Sequence, residues 1–241
     1  MSLPIFLLAP LLFVGGVVST ISGGGLGILM LVLGSFFLDI RTNITLNSVL
    51  MLGMQVSKIV NFHRNIRWEY VWWYAFLGVP CSFLGGLVLF HVPMHVPEIG
   101  LAIVCTGFVI LRLIHPKLRL SSRRSCLIGY GALNGFLGGL IGNAALIRGP
   151  ILLSLGLTKG AFIGTSSMTA FLMNLGKISA YLTKMVWSSE MLIFLCMGFP
   201  FLFAGVWIGK HILHYVSPWL FEKMLLGVIV IGALRLLFSA L

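Results

Sequence analysis

Arg148 sits in the run Ala144-Ala145-Leu146-Ile147-Arg148-Gly149-Pro150, an arginine among apolar residues. A lone guanidinium in hydrocarbon is costly, so it faces a polar interior or snorkels to an interface. No acidic residue occurs between Gly100 and Ser189, so a carboxylate partner close in sequence is absent. The planar fork of arginine pairs bidentately with oxyanions, which makes anion binding the chemistry this residue offers. Asn143 precedes it, and the hydroxyls of Thr165, Ser166 and Ser167 follow on the next helix. Two further cations, Lys58 and Lys177, interrupt apolar stretches at matched places. The plain alternative for both lysines is snorkelling at the cytoplasmic ends of their helices. Asn47, Met51, Gln55 and Lys58 are spaced by four, four and three residues, which puts them on one helix face. With Asn174 they would line a polar seam. Gly24 and Gly25 join the candidate contacts, because glycine lets backbone amides approach a ligand closely. The competing role for the glycines is tight helix packing at small-xxx-small spacing.

Enzymatic patterns are poor. The five acids are scattered, no Walker lysine follows a glycine loop, and no HExxH occurs. His91, His95, His211 and His214 have no carboxylate or thiol fixed beside them for a zinc site. No cofactor, metal or catalytic residue is expected. The four cysteines lie in or beside apolar runs without a CxxC pair and read as inert thiols.

The elements that must hold these residues are membrane helices. Of the 241 residues 59% are hydrophobic and only 9% charged, against roughly 25% charged in a soluble domain. The net charge of +11 falls in clusters between apolar runs, as expected of loops facing anionic lipid, so nucleic acid is excluded as a partner. Charge and proline divide the chain into apolar segments at 4–38, 43–62, 69–90, 97–114, 126–157, 161–182, 190–212 and 218–238. The first segment lacks a basic leader and reads as a retained helix rather than a cleaved signal. The first and fifth segments exceed 30 residues, too long for one straight crossing, and carry central glycines at 23–27 and 135–142. Both are expected to break, with part of each a half-helix or re-entrant piece, and to pack across from one another.

The chain also matches itself. Pro80 pairs with Pro200, Gly85 with Gly205 and His91 with His211 at an offset of 120; Lys58 pairs with Lys177 and Gln55 with Asn174 at 119. This pattern predicts an all-α integral membrane protein of about eight transmembrane helices in two four-helix repeats. The repeats are 1–115 and 126–241, joined by a basic cytoplasmic linker at 116–125 within one membrane domain. If each broken segment crosses once, both termini are cytoplasmic and the repeats parallel, but Lys159 and Lys210 then fall outside, against the positive-inside bias. If a broken segment crosses twice, the count and the repeat orientation change.

Residues 18–27 and 135–150, each followed by a polar-dotted helix, resemble the two repeats of the sulfite exporter TauE/SafE family. The run Leu157-Thr158-Lys159-Gly160-Ala161-Phe162-Ile163-Gly164-Thr165-Ser166 is similar to that family's second-repeat pattern. The resemblance implies about eight helices in two repeats and transport of small sulfur-containing anions such as sulfite and sulfoacetate. The expected function is a secondary transporter in the cell membrane, an exporter or permease for sulfite or an organosulfonate. Its partners are the anion, the bilayer and a coupling ion, H+ or Na+. The alternative is a membrane assembly factor or a channel-like pore.

Overall fold

The computed structural model describes residues 5–21, 40–93, 121–142, 144–183, 189–217, 219–220 and 223. Seven helices are described: α1 (Ile5–Ile21), α2 (Ile40–Phe62), α3 (Trp68–Val88), α4 (Arg124–Ile141), α5 (Ala145–Ser154), α6 (Lys159–Leu182) and α7 (Ser189–Tyr215). A single 3-10 turn, His63–Asn65, joins α2 to α3. No strand occurs among the described residues. Two of the helical stretches, Trp68–Val88 and Leu192–Tyr215, are long and apolar enough to cross a bilayer by composition. The helices α2 and α6 are of similar length, at 23 and 24 residues, but carry buried polar residues along one side. Segments 97–114 and 218–238 and the glycines of 23–27 lie largely or wholly outside the described residues.

The glycine break in the fifth segment is present. Gly142 ends α4 in a left-handed conformation, φ 81°, which a side chain rarely adopts. The helix resumes at Ala145 and runs ten residues as α5. Gly156, φ 82°, turns the chain again before α6.

Glycine also sets the packing. Along α3 and α4, Gly131 lies against the Tyr74 carbonyl, Gly135 against Gly78, and Gly139 against Ser82 and Gly86. A methyl group at any of these glycines would overlap the facing backbone. Without water to drive apolar surfaces together, such close approach is what holds membrane helices. The contacts also give direction: residue numbers rise together, so α3 and α4 are parallel. The same holds for α1 and α7, where Leu12 faces Gly198, Gly16 faces Leu202 and Gly205, and Thr20 faces Gly209. The helices α2 and α6 are antiparallel, since Gln55 meets Asn174 while Asn65 meets Gly160. The helices α2 and α7 are parallel, with Gly53 on Phe199 and Asn61 on Lys210.

These directions give inverted halves, with α1 and α2 running one way and α4 and α6 the other. The parallel arrangement expected from one crossing per broken segment is therefore replaced. The physical reason is the Gly142 break. Gly139 reaches the level of Ser82, whose hydroxyl donates to Met173 O at 2.6 Å, next to the Asn174–Gln55 pair. Since α6 begins at the far end, beside Asn65, α5 must carry the chain back. Segment 126–157 enters and returns rather than crossing once. Inversion also removes the difficulty over two lysines. Arg124 lies over Trp73 (4.9 Å), Gly160 borders Asn65, and Lys210 donates to Asn61 Oδ1 at 3.3 Å. Lys159 and Lys210 thus share one end of the bundle with Arg64, Arg67, Arg123 and Arg124. The start of α1 lies at the opposite end.

Contacts in one half recur in the other. Gly85 packs on Phe136 and Gly139, and Gly205 packs on Phe13 and Gly16. The helix α3 of the first half thus rests on α4 of the second, while α7 rests on α1. Gln55 and Asn174, matched in the sequence, bond to each other. Two equivalent residues meet only where an axis relating the halves passes between them. For inverted halves that axis lies in the plane of the membrane.

Candidate functional site

The polar seam of α2 and α6 is buried. Asn47, Ser48, Gln55 and Lys58 on α2 are each at most 7% exposed, as are Thr165, Ser166, Ser167, Asn174 and Lys177 on α6. Asn174 Nδ2 donates to Gln55 Oε1 at 2.5 Å. Three residues to either side of this pair stand the two lysines, each 4% exposed. At about 1.5 Å per residue they lie near the level of the axis. Lys58 and Lys177 are on opposite sides of it and both are buried, so the alternative of snorkelling at cytoplasmic helix ends does not hold.

Each lysine grips the end of a helix in its own half. Lys58 Nζ donates to Ser19 O and Oγ, both at 2.9 Å, in the last turn of α1. Lys177 Nζ donates to Gly142 O, directly after α4. The carbonyls of a helix's last turn lack intrahelical partners and carry the negative end of its dipole. An ammonium there satisfies both. The two arrangements correspond, because Ser19 and Gly142 stand three residues beyond Gly16 and Gly139, the glycines on which α7 and α3 cross.

Arg148 belongs to α5 and is 9% exposed. Its Nε donates to Ser166 Oγ at 3.0 Å. Serine accepts this bond without neutralising the guanidinium. Arg148 is within electrostatic range of Lys58, Lys177 and the Tyr74 ring. Three buried basic side chains therefore share one region, and among the described residues no carboxylate forms an ion pair with any of them. Positive charge in a low-dielectric interior is costly, and a bound anion would offset that cost. The start of α5 adds to the positive field. Ala144 caps it without a side-chain bond, while its carbonyl accepts from the Ile147 and Arg148 amides at 3.1 and 3.0 Å.

The structure thus brings Arg148 and Ser166 together, and sets Lys58, Lys177, Gln55 and Asn174 around the axis. It does not bring Thr165 into that group, because its hydroxyl accepts from the Arg67 amide at 3.0 Å and ties α6 to the α2–α3 turn. Asn47 and Ser167 are buried in the seam. Asn143, Gly24 and Gly25 lie outside the described residues. Among the buried polar side chains missed in the sequence are Ser19, Tyr74 and Asn134. Ser19 precedes the glycine run and could have been found as a hydroxyl at a helix break. Tyr74 and Asn134 stand singly in apolar helices, with no spacing to mark them.

Taken together, these features define a helical membrane protein with a glycine-broken helix pair, α4 and α5, and a buried polar centre rich in basic side chains. The sequence profile of the family described as Sulfite exporter TauE/SafE matches residues 8–236, and the chain belongs to that family. It is a membrane transport protein, as the family is one of transporters and not of enzymes. Neither the curated proteins nor the solved structures compared with it contain a significant match.

Proposed function

We propose that the protein is a secondary transporter that carries sulfite or a small organosulfonate across the cell membrane, with Arg148 as its main anion contact. The observation that carries this reading is the buried Arg148–Ser166 pair beside two buried lysines, with no neutralising carboxylate among the described residues. The guanidinium keeps its second edge for an oxyanion while Nε is held by serine. Lys58 and Lys177 contribute long-range attraction while they hold helix ends. A gradient of H+ or Na+ supplies the drive in this reading.

Residues 1–115 and 126–241 act as the two repeats of one membrane domain. The basic end, with Arg64, Arg67, Arg123, Arg124, Lys159 and Lys210, faces the cytoplasm by the positive-inside rule. The linker 116–125 lies on that side.

The experiment is flux of sulfite, thiosulfate, sulfate, sulfoacetate and taurine into proteoliposomes. It compares wild type, Arg148→Lys and Arg148→Ala, normalised to folded protein. Arg148→Lys keeps the charge and loses the fork, so it should retain more transport than Arg148→Ala. Unchanged affinity and rate in Arg148→Ala would remove Arg148 from the site.

A further inference from the structure

Tyr74 is completely buried, and its hydroxyl has no hydrogen-bond partner among the described residues. The ring lies in the apolar cluster that includes Ile147, Ile151, Phe162 and Met173, between α3, α5 and α6. Its backbone carbonyl lies against Gly131, which fixes α3 on α4 at that level. Tyr74 stands one turn before Gly78, which packs on Met173. This places it at the depth between the axis pair and the Arg148–Ser166 contact. Ile147 and Ile151, on either side of Arg148 along α5, pack in the same cluster as Tyr74.

A phenol in such a place needs an acceptor for its proton. The Arg148 guanidinium cannot be that acceptor, because it offers donors only. A phenylalanine would fill the same volume without stranding a hydroxyl, so the packing does not call for the oxygen. An oxyanion held by Arg148 would bring an acceptor oxygen to this position. We propose that the Tyr74 hydroxyl is a second ligand to the transported anion, donating a hydrogen bond to an oxygen of the group that Arg148 holds. This rests on the reading of Arg148 as the anion contact. It adds a donor from the first half of the chain to a guanidinium from the second, so the anion is bound across the junction of the halves. A neutral donor of this kind gives direction, whereas the cations give mainly attraction. It favours ligands with several acceptor oxygens on one centre, the sulfite and sulfonate class, over a spherical anion.

The test is thermal unfolding of the purified full-length protein, with and without sulfite, sulfoacetate or chloride, for wild type, Tyr74→Phe and Arg148→Ala. Without anion, Tyr74→Phe should unfold at or above the wild-type temperature, since it removes only an unsatisfied group. With sulfite or sulfoacetate its stabilisation should shrink, corresponding to roughly tenfold weaker affinity. The weak effect of chloride should not change. Wild-type oxyanion affinity in Tyr74→Phe, with binding lost in Arg148→Ala, would overturn the role of Tyr74 and leave that of Arg148 intact. Wild-type affinity in both variants, or no stabilisation of the wild type by either oxyanion, would overturn both. Destabilisation of anion-free Tyr74→Phe with unchanged affinity would make the hydroxyl structural and also overturn the proposal.

Discussion

Replacing Gly85 by alanine puts a methyl group against the Phe136 carbonyl on the neighbouring helix, well inside contact distance. The helix backbone cannot yield locally, so α3 and α4 must move apart. A gap of about 0.5–1 Å forfeits about a quarter to a half of each contact worth 0.1–0.2 kcal/mol. Over the several dozen atom pairs at such a crossing the loss is ~2 kcal/mol, within the 1–3 kcal/mol usual for overpacking. Alanine's better helix propensity returns at most ~1 kcal/mol of this. Gly205 meets Phe13 in the same way, so Gly205→Ala should cost about the same. Gly129 is the control, as it is in the same helix as Gly135 and Gly139 but an added methyl meets nothing within 4 Å. Gly129→Ala should be neutral or stabilising by up to ~1 kcal/mol. Equilibrium unfolding of the three purified variants in mixed micelles measures these differences. If Gly85→Ala and Gly205→Ala unfold like Gly129→Ala, the close crossings do not hold the fold. A large loss at one position alone would refute the correspondence between the halves.

The lysine grips can be tested by hydrogen exchange. Lys177→Met should loosen the end of α4 and raise amide exchange around residues 138–145, while Lys58→Met should do so around 15–21; each loses charge-assisted bonds of about 1.5–3 kcal/mol. Unchanged exchange in both would make the grips incidental. Single cysteines placed at Ser121, Lys159 and Lys210, in a background without native cysteines, should all react with an impermeant reagent only from the cytoplasmic side. Labelling of Lys159→Cys or Lys210→Cys from outside intact cells, with Ser121→Cys protected, would contradict the inverted arrangement.

Membrane character and the break in segment 126–157 were legible because both follow from composition and length. A run of over 30 apolar residues with Gly142 in its middle cannot be one straight span. The seam on α2 and α6 was legible because Asn47, Gln55 and Lys58 keep helical spacing. The relative direction of the halves was not. Charge counting takes the number of crossings as given, and that number hung on whether α5 continued outward or turned back. The placement of Lys159 and Lys210 was the one sign of trouble, and inversion accounts for it. The lysine grips were hidden for another reason. Their acceptors are backbone carbonyls at Ser19 and Gly142, and carbonyls carry no signature in sequence. Thr165 lies in the run Thr165-Ser166-Ser167, and its bond to the Arg67 amide had no signature in sequence because the donor is backbone.

The frame and the site differ in symmetry, and the difference bears on mechanism. The frame is nearly two-fold: Lys58 answers Lys177, Ser19 answers Gly142, and Gln55 meets Asn174 on the axis. Arg148 has no such counterpart, for no arginine or lysine occurs between Ser22 and Asp39. In the proposed transporter, a guanidinium supplied by one half alone does not require a second anion site. It leaves one centre, beside the axis, about which the two halves can exchange equivalent arrangements. The ends of the bundle differ as well. At the basic end the Arg67 amide donates to Thr165 and Asn65 packs on Gly160, so α6 is tied to the α2–α3 turn there. Any opening of the site toward that end has to part α6 from the turn. The lysine grips act within each half, so they can persist through such a movement. The Gln55–Asn174 bond spans the two halves and is the contact that a rocking motion must strain or pivot on.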